Sequence, residues 1–169
     1  MLLQTSCTNI CCIHFSFIVI NYETLPFSKA YRAELLLEKM LEETSKGNTM
    51  IQPDTITYNS VISACARSPK KDEIIRKEAF SIGLNAFRQL HSLDYCKPSC
   101  ITYISYLKLL CNLTERGRAR DHMAERVYSL SVSFGLSNDA AVKAQLKRTC
   151  SSPSVFKSII LKAEQQTDK

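Results

Sequence analysis

Tryptophan is absent from this 169-residue chain, and glycine and proline are scarce, at four and five residues. So little of either excludes a collagen-like repeat and a low-complexity disordered chain, while 45% apolar residues suffice for one domain to bury a core. Long hydrophobic runs are missing as well. The most apolar stretch, Ile10 to Ile20, is shorter than the roughly 18 residues that a membrane-spanning helix needs, so no membrane partner is expected. No Lys or Arg precedes it, which removes the charged start of a secretory signal, and it lacks the Arg-rich amphipathic pattern of an organellar transit peptide. Residues 1–27 therefore read as an atypical apolar segment, a degenerate first helix packed on the next one.

The chemistry-bearing patterns are equally thin. His14, His91 and His122 stand in different contexts, with no paired carboxylates or reactive serine near them, and there is no Gly-rich phosphate loop. An enzyme is the least supported class, and no cofactor or small-molecule substrate is expected. Of the eight cysteines, Cys65 and Cys111 fall at or beside apolar helix faces, where a free thiol packs as a small hydrophobe, so a reducing compartment is the better reading. Cys96 with Cys100, and the Cys11-Cys12-Ile-His14 cluster, lack a second half, so no metal site is expected. A net charge of +6 favours acidic partners such as nucleic acid, but charge of this size is weak support taken alone.

What is present is a repeat. Pro53-Asp-Thr-Ile-Thr-Tyr-Asn-Ser60 returns as Pro98-Ser-Cys-Ile-Thr-Tyr-Ile-Ser105, sharing Pro, Ile, Thr, Tyr and Ser in register. The following apolar positions also align: Tyr58, Val61, Ile62 and Cys65 correspond to Tyr103, Tyr106, Leu107 and Leu110, the spacing of one helix face. Each copy predicts a helix opening after a tight turn, with Asp54 as an N-cap. Before them, Ala30, Ala33, Leu36, Leu37, Met40 and Leu41 predict a helix from Ser28, then a polar loop over Thr44 to Gln52. Between them, Ser68-Pro69 ends the first helix and a long second helix opens at Lys70-Lys71-Asp72-Glu73. Its expected buried stripe is Ile75, Phe80, Leu84, Phe87 and Leu90, with Glu73 placed to pair with Lys77. Beyond the second copy lie a polar connection over Thr114 to Arg120, a helix through Ala124, Val127, Tyr128 and Leu130 that Gly135 stops, a helix over Ala140 to Thr149 capped by Asn138-Asp139, and a terminal helix over Ser154 to Gln166.

Pro-Asp-x-Ile-Thr-Tyr-Asn-Ser-x-Ile followed by Ala64-Cys-Ala-Arg67 resembles the first helix of a pentatricopeptide repeat, the helix-turn-helix unit of organellar RNA-binding proteins and of the RNA-binding arm of protein-only RNase P. The resemblance covers Pro53 to Arg67 best and Pro98 to Leu113 next. It implies an all-α fold, a right-handed α-solenoid of about three helix-turn-helix repeats over residues 28–152, closed by a capping helix and tail over 153–169. Ala33, Gly83 and Ala124 stand where the family keeps a small residue so that paired helices approach closely. The 45 residues from Thr55 to Ser99 exceed the family's repeat of about 35, and the surplus is expected between Ser68 and Ile82.

The resemblance further implies single-stranded RNA as the partner, in mitochondrion or plastid. Ile56 and Ile101 would hold a base between units, Asn59 with Ser99 would read a pyrimidine edge, and Arg67 would meet phosphate, joined by Lys70, Lys71, Arg116, Arg118 and Arg120. The second copy departs from the pattern, with Ile104 where Asn59 stands and Asn112 where Arg67 stands. Without the resemblance, Ile56 and Ile101 are packed aliphatics, Asn59 a solvated polar group and Arg67 a cation favoured by the helix dipole. Two rival readings follow: a helical-repeat scaffold whose concave face holds a protein or peptide, and a fragment of a longer RNA-binding protein. The Trp and Leu-Gly pattern of tetratricopeptide repeats, the nearest such scaffold, is missing.

Overall fold

The computed structural model describes residues 28–136 and 138–167, so the reading of residues 1–27 as an apolar segment lies outside the described residues. Seven α-helices and one short 3-10 turn make up the described residues, which contain no strand. Ser28, whose hydroxyl accepts from the Tyr31 amide at 3.2 Å, opens α1, Lys29–Ser45. The expected loop after it carries the 3-10 turn Thr49–Ile51. Next comes α2, Thr55–Ala66, held at its start by Asp54: the Thr57 amide donates to Asp54 Oδ1 at 2.8 Å and the Asp54 amide to Thr57 Oγ1 at 3.4 Å. Asp72 Oδ1 accepts from the Ile74 and Ile75 amides, both at 3.0 Å, at the head of α3, Glu73–Ser92. The Glu73–Lys77 pair closes at 2.7 Å on its exposed face.

The second copy is α4, Cys100–Leu113. α5 runs Arg118–Ser133 and ends where Gly135 takes φ +78°, a left-handed conformation that glycine adopts without cost and that lets the Leu136 amide reach back to the Ser131 carbonyl at 3.0 Å. Asp139 caps α6, Ala140–Thr149, through the Ala141 and Val142 amides at 2.9 Å. The last helix, α7, Pro153–Thr167, starts one residue earlier than expected because proline suits the first helical position, where no amide is needed.

α2 packs on α4 and α4 on α6, while α1, α3, α5 and α7 each pack against their sequence neighbours. Both matched faces are buried in full: Tyr58, Val61, Ile62 and Cys65 on α2, and Tyr103, Tyr106, Leu107 and Leu110 on α4. Burial reaches further round these two helices than one face, taking in Ala64 and Ala66 on α2 and Leu109 and Leu113 on α4. Each touches helices on several sides, so the apolar stripe of a surface helix widens into an almost apolar cylinder. Ala33, Gly83 and Ala124 are all buried.

Two expectations about packing are corrected. The buried stripe of α3 is Ala79, Ile82, Gly83, Ala86, Phe87 and Leu90, with Ile75, Phe80 and Leu84 only half-buried, because the seam follows the small residues that allow close approach. Arg120, expected in a polar connection, sits inside α5 and is buried. Its Nη1 donates to the carbonyls of Cys111 at 3.1 Å and Thr114 at 3.5 Å, two acceptors at the C-terminal end of α4. Arg120→Ala is expected to destabilise the fold by about 1–3 kcal/mol by stranding those carbonyls, whereas Arg118→Ala, on an exposed side chain, should be close to neutral in the same urea titration.

Candidate nucleic-acid interface

Four contacts fix α2 against α4. At the start, Thr55 Oγ1 donates to the Lys97 carbonyl at 3.1 Å and Cys96 Sγ lies 3.8 Å from the Pro53 carbonyl. In the middle, the Ser63 and Ser105 hydroxyls meet at 3.1 Å. At the end, Asn112 Nδ2 donates to the Ala66 carbonyl at 2.9 Å. Start meets start and end meets end, so the two helices run side by side in the same direction. The shared sequence Pro-x-x-Ile-Thr-Tyr thus becomes two equivalent helix beginnings placed next to each other.

This arrangement brings Ile56 and Ile101, each the second residue of its helix, to matching positions on adjacent helices. Both are open to solvent, 49% and 58% exposed, although each helix is otherwise largely buried. They are therefore not packed between helices. Ser99 is half-buried beside them, its amide donating to Thr102 Oγ1 at 3.0 Å. Asn59 lies deeper, 7% exposed, four residues before Ser63 and hence on the side of α2 that meets α4. Its Oδ1 is buried without a hydrogen-bond partner, an uncommon state for a side-chain amide. Arg67 is exposed at the far end of α2, roughly 16 Å along the axis from Ile56 at 1.5 Å per residue.

The electrostatics separate by helix. Neither α2 (TITYNSVISACA), α4 (CITYISYLKLLCNL) nor α6 (AAVKAQLKRT) contains an acidic residue. Asp54 and Asp139 adjoin two of them, but each is committed to capping helix amides. Acidic side chains of the helices lie instead on α1, α3, α5 and α7, among them Glu34, Glu38, Glu73, Glu78, Glu125 and Glu164. Of the expected basic cluster, Arg67, Lys70, Lys71, Arg116 and Arg118 are exposed, and Arg120 is not. Asn112, which stands in the second copy where Arg67 stands in the first, is the tie to α2. Sequence reasoning missed Lys108 and Arg148, exposed cations seven residues after the second position of α4 and α6, a spacing that returns to the same helix face.

Cys65, Cys96, Cys100, Cys111 and Cys150 are free thiols, and burial pushes Cys65 up to about 12 and Cys150 up to about 11, which keeps both protonated and unreactive. His91 is half-buried beside Phe87, Tyr103 and Phe134. Its Nδ1 lies 2.8 Å from the Phe87 carbonyl, which only accepts, so Nδ1 carries the proton and Nε2 accepts from the Tyr103 hydroxyl at 3.1 Å. Burial holds its pKa below the usual histidine range. Among the described residues, no His, Cys, Asp or Glu group is placed to hold a metal ion, and no helix is long and apolar enough to cross a membrane. No family model, characterised protein or solved structure matches this chain.

Proposed function

We propose that this protein binds single-stranded RNA across the open face of α2, α4 and α6, as a short right-handed solenoid of about three pentatricopeptide-like helix pairs, without catalysing a reaction. The observation that carries this reading is the union of two exposed isoleucines in matching register with three helices that hold no acid, α2 followed by Arg67 and α4 and α6 carrying cations of their own. Unstacked bases need flat apolar surface and the phosphodiester chain needs positive charge along one track. Ile56 and Ile101 supply the first and Arg67 the second. Duplex would gain little, since its bases are already stacked and paired.

The finer part of the proposal is a pyrimidine preference at the base between Ile56 and Ile101. Asn59, enclosed in the α2–α4 seam next to that position, keeps a carbonyl oxygen that no protein group satisfies, so a base edge reaches it only where the seam gives way, and Ser99 sits at the same end of the helix pair. Asn59→Ala should cost on the order of 1 kcal/mol for a pyrimidine at that position and little for a purine. Equal losses for all four bases would assign Asn59 to the helix seam alone.

The test of the reading is a fluorescence anisotropy titration of a short single-stranded oligonucleotide and its duplex over a series of salt concentrations. Single strand should bind in preference to duplex, weakening as salt rises with a slope of about 0.7 per phosphate contact. No binding at low salt, or a preference for duplex, would favour a peptide as the occupant of this face.

A further inference from the structure

Arg67 gives α2 an exposed cation, but the equivalent residue of α4, Asn112, is spent on the Ala66 carbonyl. A track ending at Arg67 would leave the second helix without a phosphate contact. Lys108 and Arg148 offer a different place for one. Thr149 Oγ1 donates to the Leu107 carbonyl at 3.1 Å, and Cys111 Sγ lies 3.6 Å from the Arg148 carbonyl. These two contacts cross α4 and α6 at the residues bordering Lys108 and Arg148, so the two cations come from adjacent backbones. Both are exposed, and neither forms an ion pair among the described residues.

The helix dipole explains Arg148, which lies in the last turn of α6, but not Lys108, which lies mid-helix in α4 on the row begun by the exposed Ile101. Cations carried on two adjacent backbones can meet one phosphate from both helices. On the RNA reading above, we propose that Lys108 and Arg148 form a second phosphate station, shared between α4 and α6. The backbone of the bound strand then runs past Arg67 and on across the C-terminal halves of α4 and α6, with its bases turned toward the isoleucines.

The experiment measures the salt dependence of binding to a short single-stranded oligouridine for the full chain, Lys108→Ala/Arg148→Ala together, Lys108→Arg/Arg148→Lys together, and Lys157→Ala on α7 as a surface control. The alanine pair should weaken binding on the order of tenfold and lower the salt slope by about 0.7, the value of the one phosphate that the two cations share. The charge-conserving pair should retain the wild-type slope, and Lys157→Ala should change nothing. Circular dichroism establishes that each variant keeps its helix content. An unchanged slope in the alanine pair, with the wild-type chain still binding, would overturn the station while leaving the RNA reading intact. Absence of binding by the wild-type chain would overturn the reading and the station together.

Discussion

Replacing Tyr103 with alanine is expected to destabilise the protein by about 3–5 kcal/mol, the largest loss from any single side chain discussed in this protein. Its ring is fully buried on α4 and meets three others, Phe87 at 6.1 Å, His91 at 5.7 Å and Phe134 at 6.3 Å between centroids. The Phe87 and Tyr106 rings stack alongside at 4.1 Å and are both buried, so on that side the space left by Tyr103 is walled by packed aromatic groups. The hydroxyl is worth less than the ring. Tyr103→Phe loses only the donor to His91 Nε2 and should cost about 1 kcal/mol. Urea denaturation of both variants separates the two contributions, and an alanine loss below about 1 kcal/mol would mean that this cluster does not join α3, α4 and the end of α5.

Gly83→Val carries the second large effect, with an expected loss of about 3 kcal/mol. Helix propensity alone predicts the opposite sign, since glycine inside a helix costs about 1 kcal/mol relative to alanine. Space decides the matter. A Cβ at Gly83 would lie 2.1 Å from Leu109 Cδ1 and 3.3 Å from Cys65 Cβ, and both neighbours are fully buried, so neither can swing clear. Valine adds two methyl groups to that contact. Gly83→Ala should fall between the wild type and Gly83→Val in thermal denaturation. A stabilised Gly83→Ala would show that α3 does not pack closely on α2 and α4 at this residue.

The starts of α2, α3 and α6 were legible because each carries a local chemical signal: Asp54, Asp72 and Asp139 accept from amides two or three residues on, whereas the start of α5, with Gly117 and no capping side chain, was read as a connection. The buried faces of α2 and α4 were legible for the same reason, since one helix period suffices to find Tyr58 through Cys65 and Tyr103 through Leu110. Features that depend on a neighbouring helix were not. Leu109 is buried because Gly83 leaves room for it, and Asn59 is enclosed because Ser63 meets Ser105 across the seam. Arg120 resembles a solvated cation in its Arg-rich surroundings, yet the free carbonyls at the end of α4 draw it inward.

The candidate interface divides along the same line. Ile56, Ile101 and Arg67 could be named from the repeat, and their exposure follows from their positions at the two ends of helices whose middles are packed. Lys108 and Arg148 could not, since nothing in the repeat marks them until α6 is seen against α4. One signal was open to a reader of the sequence throughout: acidic residues avoid the segments of α2, α4 and α6, which suits a surface facing a polyanion.

The measurement that bears most directly on RNA binding by this face is photo-crosslinking of a single-stranded RNA carrying photoreactive uridines to the full chain, followed by mapping of the crosslinked peptides. Crosslinks are expected in the peptides holding Ile56 and Ile101, extending along α2, α4 and α6 and fading as salt is raised. Crosslinks confined to α1, α3, α5 and α7, or none at low salt, would contradict RNA binding by this face.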